Sequence, residues 1–156
     1  MLKYIISTIF LLNISYLNSK AQIKLPKGFN CRIGVTKQIY YSDGKYSFKE
    51  KAWGQEGLNG LELIKFLESN YDNKIKFNRT KDNLYWATGK IGDTYFYTVV
   101  VDEVFEYSLT SKLNGTQFSN YSTWLLQQIR NNIVSEAENY FTDFNGNTCK
   151  EEFIRL

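Results

Sequence analysis

The chain predicts an α+β fold: an antiparallel sheet of about five or six strands carrying a short helix and a long C-terminal helix, in the order ββαβββ(β)α. Three observations lead there. Residues 82–111, DNLYWATGKIGDTYFYTVVVDEVFEYSLTS, are dense in β-branched and aromatic side chains and broken only at Gly89 and Gly92, the pattern of consecutive sheet strands. Ahead of them, Asp43–Gly44 separates two strand-like runs, a strong hairpin signal. Two further segments repeat apolar residues every three or four positions, as helices laid on a sheet do.

Residues 1–21, MLKYIISTIFLLNISYLNSKA, read as a signal peptide. Lys3 is the positive start, Tyr4 to Leu12 the apolar run, and Ser19 and Ala21 the small residues of a cleavage site. The run is too short to span a bilayer. The mature chain is expected to begin at Gln22, leaving 22–156 as one α+β domain. Gln22 to Phe29, interrupted by Pro26 and Gly28, reads as a leading arm. Cys31 to Tyr41 is the first strand candidate. Tyr46 to Trp53 returns from the hairpin with Tyr46, Phe48 and Glu50 on one face and Ser47, Lys49 and Lys51 on the other, as in a strand with one wet side.

Asn59 is the expected N-cap of a helix from Gly60 to about Tyr71, with Leu61, Ile64, Leu67 and Tyr71 on its apolar stripe and Asp72–Asn73 ending it. Lys74 to Thr80 alternates as a strand with a basic outer face. After the aromatic strands, Asn114–Gly115 is a turn. Ser119 is expected to cap a helix running to about Tyr140, its stripe formed by Tyr121, Trp124, Leu125, Ile129, Ile133 and Ala137. The tail from Phe141 to Leu156 reads as loop-rich and pinned by Cys149. This element order resembles that of the Mog1/PsbP-like fold, a sheet sandwiched by helices. The resemblance implies that architecture and transfers no functional residue.

The residue inventory excludes several chemistries. The chain contains no histidine, which removes Ser-His-Asp and Cys-His catalysis and histidine-ligated metals. Its two cysteines, Cys31 and Cys149, are too few for a thiolate metal site and are expected to form a disulfide in an exported protein. No phosphate-binding glycine loop is present, and no cofactor or metal is expected. Asp143 to Asn147 has the acidic start of a calcium loop, but Thr148 and Ile154 fall where glycine and a bidentate glutamate belong. A turn at Asn145–Gly146 is the better account.

Formal net charge is +3, and losing Lys3 and Lys20 with the leader leaves +1, which gives no general attraction to nucleic acid or an anionic membrane. Lys74, Lys76, Arg79 and Lys81 form a local basic patch for an anionic partner. Tyr85, Trp86, Tyr95 and Tyr97 are candidates for an aromatic binding surface. Asp102, Glu103 and Glu106, with Glu62 and Glu68 on the first helix, are the acids a carboxylate-only hydrolase would use. Asn78, Asn114 and Asn120 stand in glycosylation acceptor patterns that matter only in a eukaryotic secretory pathway.

The expected function is therefore that of a small exported protein, periplasmic or secreted, without catalytic activity. It is expected to bind a protein, a ligand or an envelope component, to have no nucleic-acid partner, and to keep no membrane segment after cleavage. Alternatives are an envelope immunity protein neutralising a toxin or enzyme, a structural subunit, and the carboxylate-only hydrolase.

Overall fold

A computed structural model of the chain describes residues 22–53, 57, 60–71, 74–101, 105–132 and 140–149. Along the chain run β1 (Gln22–Lys24), β2 (Asn30–Ile33), β3 (Ile39–Ser42), β4 (Tyr46–Ala52), α1 (Gly60–Asn70), β5 (Asn78–Arg79), β6 (Tyr85–Ile91), β7 (Thr94–Val101), β8 (Phe105–Ser111), α2 (Thr116–Asn132) and β9 (Tyr140–Thr142). Seven strands make one antiparallel sheet in the order β2-β3-β4-β8-β7-β6-β5, while β1 and β9 pair in parallel as a separate ribbon. The architecture is α+β, with a short helix and a longer one nearer the C-terminus, as the sequence predicts.

β7 explains the layering. Side chains alternate across a strand, so Val99 and Val100 point to opposite faces, yet both are fully buried. Val99 packs with Leu125 and Ile129 of α2, and Val100 with Leu63, Ile64 and Leu67 of α1. A strand covered on both sides must be apolar at every position, which is why its second half reads as an unbroken valine run. The α2 face also receives the ribbon, through Ile23, Leu25 and Phe141. Phe48 of β4 sits at the centre of that layer, its ring 5.0 Å from Phe29, 5.4 Å from Trp124 and 5.8 Å from Phe141. On β4, Tyr46 and Phe48 are buried while Ser47, Lys49 and Lys51 stay half-exposed, so the two-faced pattern of that strand holds.

Local chemistry sets the turns. Asp43 accepts from the backbone N–H of Lys45 (2.8 Å) and Tyr46 (2.7 Å) through Oδ1, and Gly44 takes a φ of 91° that a side chain would resist. Asp143 does the same work beside the disulfide, accepting from the N–H of Asn145 and Asn147.

The structure departs from expectation at several elements. The Gln22–Phe29 arm contains β1, and the tail contains β9. Each is only three residues long and is ordered by the other, with Ile23 opposite Phe141. Cys31 to Tyr41 is not one strand but two, folded back at Gly34, whose N–H and C=O bond Gln38 O (2.8 Å) and Lys37 N (2.9 Å). Of the strand expected at Lys74–Thr80 only Asn78–Arg79 pairs, because the N–H of Phe77 is taken by Glu68 Oε1 at 2.9 Å. The second helix begins at Thr116, ahead of Ser119, whose N–H bonds Gly115 O at 3.1 Å, and Tyr140 already belongs to β9. The signal segment 1–21, the Asn59 cap, Asp72–Asn73, Ile133, Ala137 and residues 150–156 lie outside the described residues.

Cys31 of β2 is bonded to Cys149, 118 positions further along the chain, with the Cα atoms 5.5 Å apart. Tyr41, opposite Cys31 on β3, reinforces the link. Its buried hydroxyl donates to Phe141 O (3.0 Å) and accepts from the Cys149 N–H (2.8 Å). At the other end of α2, Arg130 donates from Nε (2.8 Å) and Nη2 (3.3 Å) to the two oxygens of Asp82, just ahead of β6. The guanidinium holds the Asp82 carboxyl at about 2, well below its usual range.

Three outcomes follow. The Cys31→Ser, Cys149→Ser double variant should lose up to about 5 kcal/mol in urea unfolding, the loop-entropy value for so long a closed segment. Tyr41→Phe should keep the disulfide and still lose about 2 kcal/mol, since it strands a buried carbonyl and a buried N–H. Asp82→Asn should cost less than about 1 kcal/mol at pH 7, because the pair is substantially exposed. A depressed carboxyl stabilises above its unfolded pKa, so that deficit should shrink as pH falls from about 4 and vanish near pH 2.

Candidate functional site

The site is built where α2 leaves the sheet uncovered. β6 and β7 form a hairpin closed by Gly92, and alternation sends Thr88 and Lys90 of β6, with Tyr95 and Tyr97 of β7, to the α2 face. Gly115 starts α2 beside them. Between hairpin and helix lies an open cleft of about 470 Å³, lined by Thr88, Gly89, Lys90, Tyr95, Tyr97, Asn114, Phe118, Ser119 and Ser122. That volume is within the range of small-ligand sites. Tyr95 and Phe118 pack edge to face at its floor, 6.4 Å between centroids, and the Lys90 ammonium lies 5.0 Å from the Tyr95 ring. Tyr97 is 7% exposed, and burial pushes its phenol above the usual value. Apolar walls carrying several hydroxyls and one ammonium suit recognition of a ligand with a flat body and polar substituents.

The four aromatic residues singled out from sequence divide between the two faces. Trp86 and Tyr97 lie together, 6.1 Å between centroids, with Tyr95 on the same side. Tyr85 points the other way and packs with Val100 beneath α1, the Arg79 guanidinium 5.7 Å from its ring. The division follows from strand alternation. Within the basic patch Lys76 pairs with Glu68 at 2.9 Å and Arg79 donates to Asn83 at 2.7 Å, and the side chains of Lys74, Lys76, Arg79 and Lys81 do not converge on the cleft.

Among the acids, Asp102 and Glu103 lie outside the described residues. Glu106 is on the α1 face, away from the cleft. It accepts from Trp53 Nε1 and from Thr98 Oγ1, each at 2.9 Å. Lys49 faces it, and burial lowers the pKa of that lysine. Glu62 is exposed, and Glu68 is held by the Phe77 N–H and the Lys76 ammonium, which pull its carboxyl down. Asp143 spends both oxygens inside its own turn, with Oδ2 accepting from Asn147 Nδ2.

No family model matches the sequence. No solved structure matches it either. Over 69 residues the chain is 29% identical to the histone-lysine N-methyltransferase, H3 lysine-9 specific SUVH4, of Arabidopsis thaliana. That stretch is 44% of this chain and 11% of the enzyme, too small a share to carry a family or an activity across.

Sequence reasoning found Tyr95 and Tyr97 but missed Thr88, Lys90, Asn114, Phe118, Ser119 and Ser122. Period-two alternation from Trp86 could have placed Thr88 and Lys90 on one face. The helical residues carried no such signal, since nothing local says which strands α2 crosses.

Proposed function

We propose that this is an exported binding protein, periplasmic or extracellular and without a catalytic role, that holds a protein or envelope component at the cleft between the β6–β7 hairpin and α2. The cleft carries the reading: it is an open, aromatic-walled site on a rigid sheet-and-helix frame, furnished with hydroxyls and an ammonium and, among the described residues, with no carboxylate in its lining. Export is supported by the signal-like segment 1–21 and by a disulfide of the kind that persists in oxidising compartments. Among the described residues no helix is long and apolar enough to cross a membrane.

The test is to recover the protein from its native source and from a Ser119→Trp variant that fills the cleft. Native material should have Gln22 at its N-terminus and resist alkylation until reduced, and a defined crosslinked partner should disappear in the variant. Retained Met1, thiols free without reductant, or an identical partner profile in the filled variant would refute the proposal.

A further inference from the structure

We propose that the free edge of the seven-stranded sheet at β2 is a second interaction surface, which takes an extended segment of a partner protein as an added antiparallel strand, with acidic and apolar side chains alternating along that segment. This goes beyond the cleft reading above and does not depend on it.

β2 ends the strand order, so its outer side is unpaired. The ladder register fixes which groups point outwards. The Gly34 N–H bonds Gln38 O, which makes Gly34 and Gln38 a hydrogen-bonded pair, and such pairs alternate along an antiparallel ladder. Arg32 therefore turns its backbone groups towards Tyr40, while Cys31 and Ile33 turn theirs away from β3. Among the described residues, none bonds the outward N–H or C=O of Cys31 or Ile33. A row of outward donors and acceptors is a template for another strand.

The two faces of this edge differ. Arg32 stands opposite Tyr40, on the face that carries Lys49 of β4, whose ammonium reaches Gln38 Oε1 at 2.9 Å. Lys27 and Lys37 flank Arg32; all three are exposed, and they are the only charged residues between Leu25 and Ser42. Glu106, further in on β8, is held by Trp53 and Thr98. On the other face Ile33 lies opposite Ile39 and is 44% exposed, and Val35 at the hairpin tip is fully exposed. A strand added in register places the side chains opposite Cys31 and Ile33 on the apolar face and the one opposite Arg32 on the basic face. The matching order is apolar, acidic, apolar. A second copy of the chain would bring the same cations to the seam, with Arg32 against Arg32 in the self-paired register. The charges that guard this edge against its own kind thus select an acidic partner.

The test titrates the full, disulfide-bonded protein with synthetic heptapeptides, followed by amide NMR shifts. The first peptide alternates valine and glutamate. The second carries lysine for glutamate. The third is the first with its valine nitrogens methylated, which removes the N–H groups that would pair with Cys31 and Ile33. The first should shift the Cys31 and Ile33 amides saturably and bind at least about tenfold tighter than either of the others. Arg32→Glu, at an exposed position, should weaken it about fivefold or more and strengthen the lysine peptide, with the thermal midpoint little changed. Equal affinity for the lysine peptide or for the methylated peptide would overturn the inference. So would shifts centred on Lys90 and Ser119 of the cleft, or no response to any peptide. Residues 150–156, outside the described residues, follow Cys149, which is bonded to β2, and include Glu151 and Glu152. Tighter peptide binding by a Glu151→Gln, Glu152→Gln variant would assign the edge to the chain's own tail, and β2 shifts that follow protein concentration alone would assign it to a second copy. Either result overturns the inference, and all of these results leave the cleft reading standing.

Discussion

The meeting of the chain's two ends is the constraint on which the rest of the structure depends. Neither β1 nor β9 has the length to persist alone, and an isolated pair of three-residue strands is marginal in water. They exist as a ribbon because Cys149 is bonded to β2 and because the Tyr41 hydroxyl ties both Phe141 O and Cys149 N to β3. The ribbon in turn supplies Ile23, Leu25 and Phe141, which complete the layer that α2 lays over β4 and β8. A covalent link and a two-way hydrogen bond, both between residues 100 or more positions apart, decide how half of the core is closed.

That closure determines where the protein is open. With the ribbon over one end of the sheet and α2 over the middle, the β6–β7 hairpin extends beside the first turns of the helix, and Phe118 reaches the Tyr95 ring. The cleft is the space left between them. Its floor is rigid, because β7 is an interior strand, buried on both faces over most of its length and paired on both edges. Outside the cleft, the half-exposed Arg130–Asp82 pair links α2 to the residues just ahead of β6. A site with such a frame is preorganised for binding, which reduces the ordering entropy a partner must overcome.

The opposite face shows how similar residue types come to different ends. Glu106, Thr98 and Trp53 form a satisfied hydrogen-bonded cluster under the α1 side, with Lys49 facing the carboxylate. In composition it looks like a site. In geometry it is a polar cluster at the sheet surface, each member already holding a partner. The cleft residues are the reverse: Lys90, Ser119 and Tyr97 look ordinary in sequence, and what distinguishes them is what they face.

Local patterns were enough for the sequence to determine the fold class, the β3–β4 hairpin at Asp43–Gly44, the aromatic strands, the two helices and the Cys31–Cys149 pair, because turn chemistry, period-two and period-3.6 patterns and cysteine parity all act over short distances or by counting. Tertiary structure alone decided that β8 lies between β4 and β7, that β1 pairs with β9, that Tyr85 turns away from Tyr95 and Tyr97, and that Ser119 and Ser122 of α2 share a cleft with Lys90. Each of these depends on which distant segments become neighbours. That choice is made by burying the most apolar surface on both faces of β7 at once, a condition on the whole chain that no single stretch of residues contains.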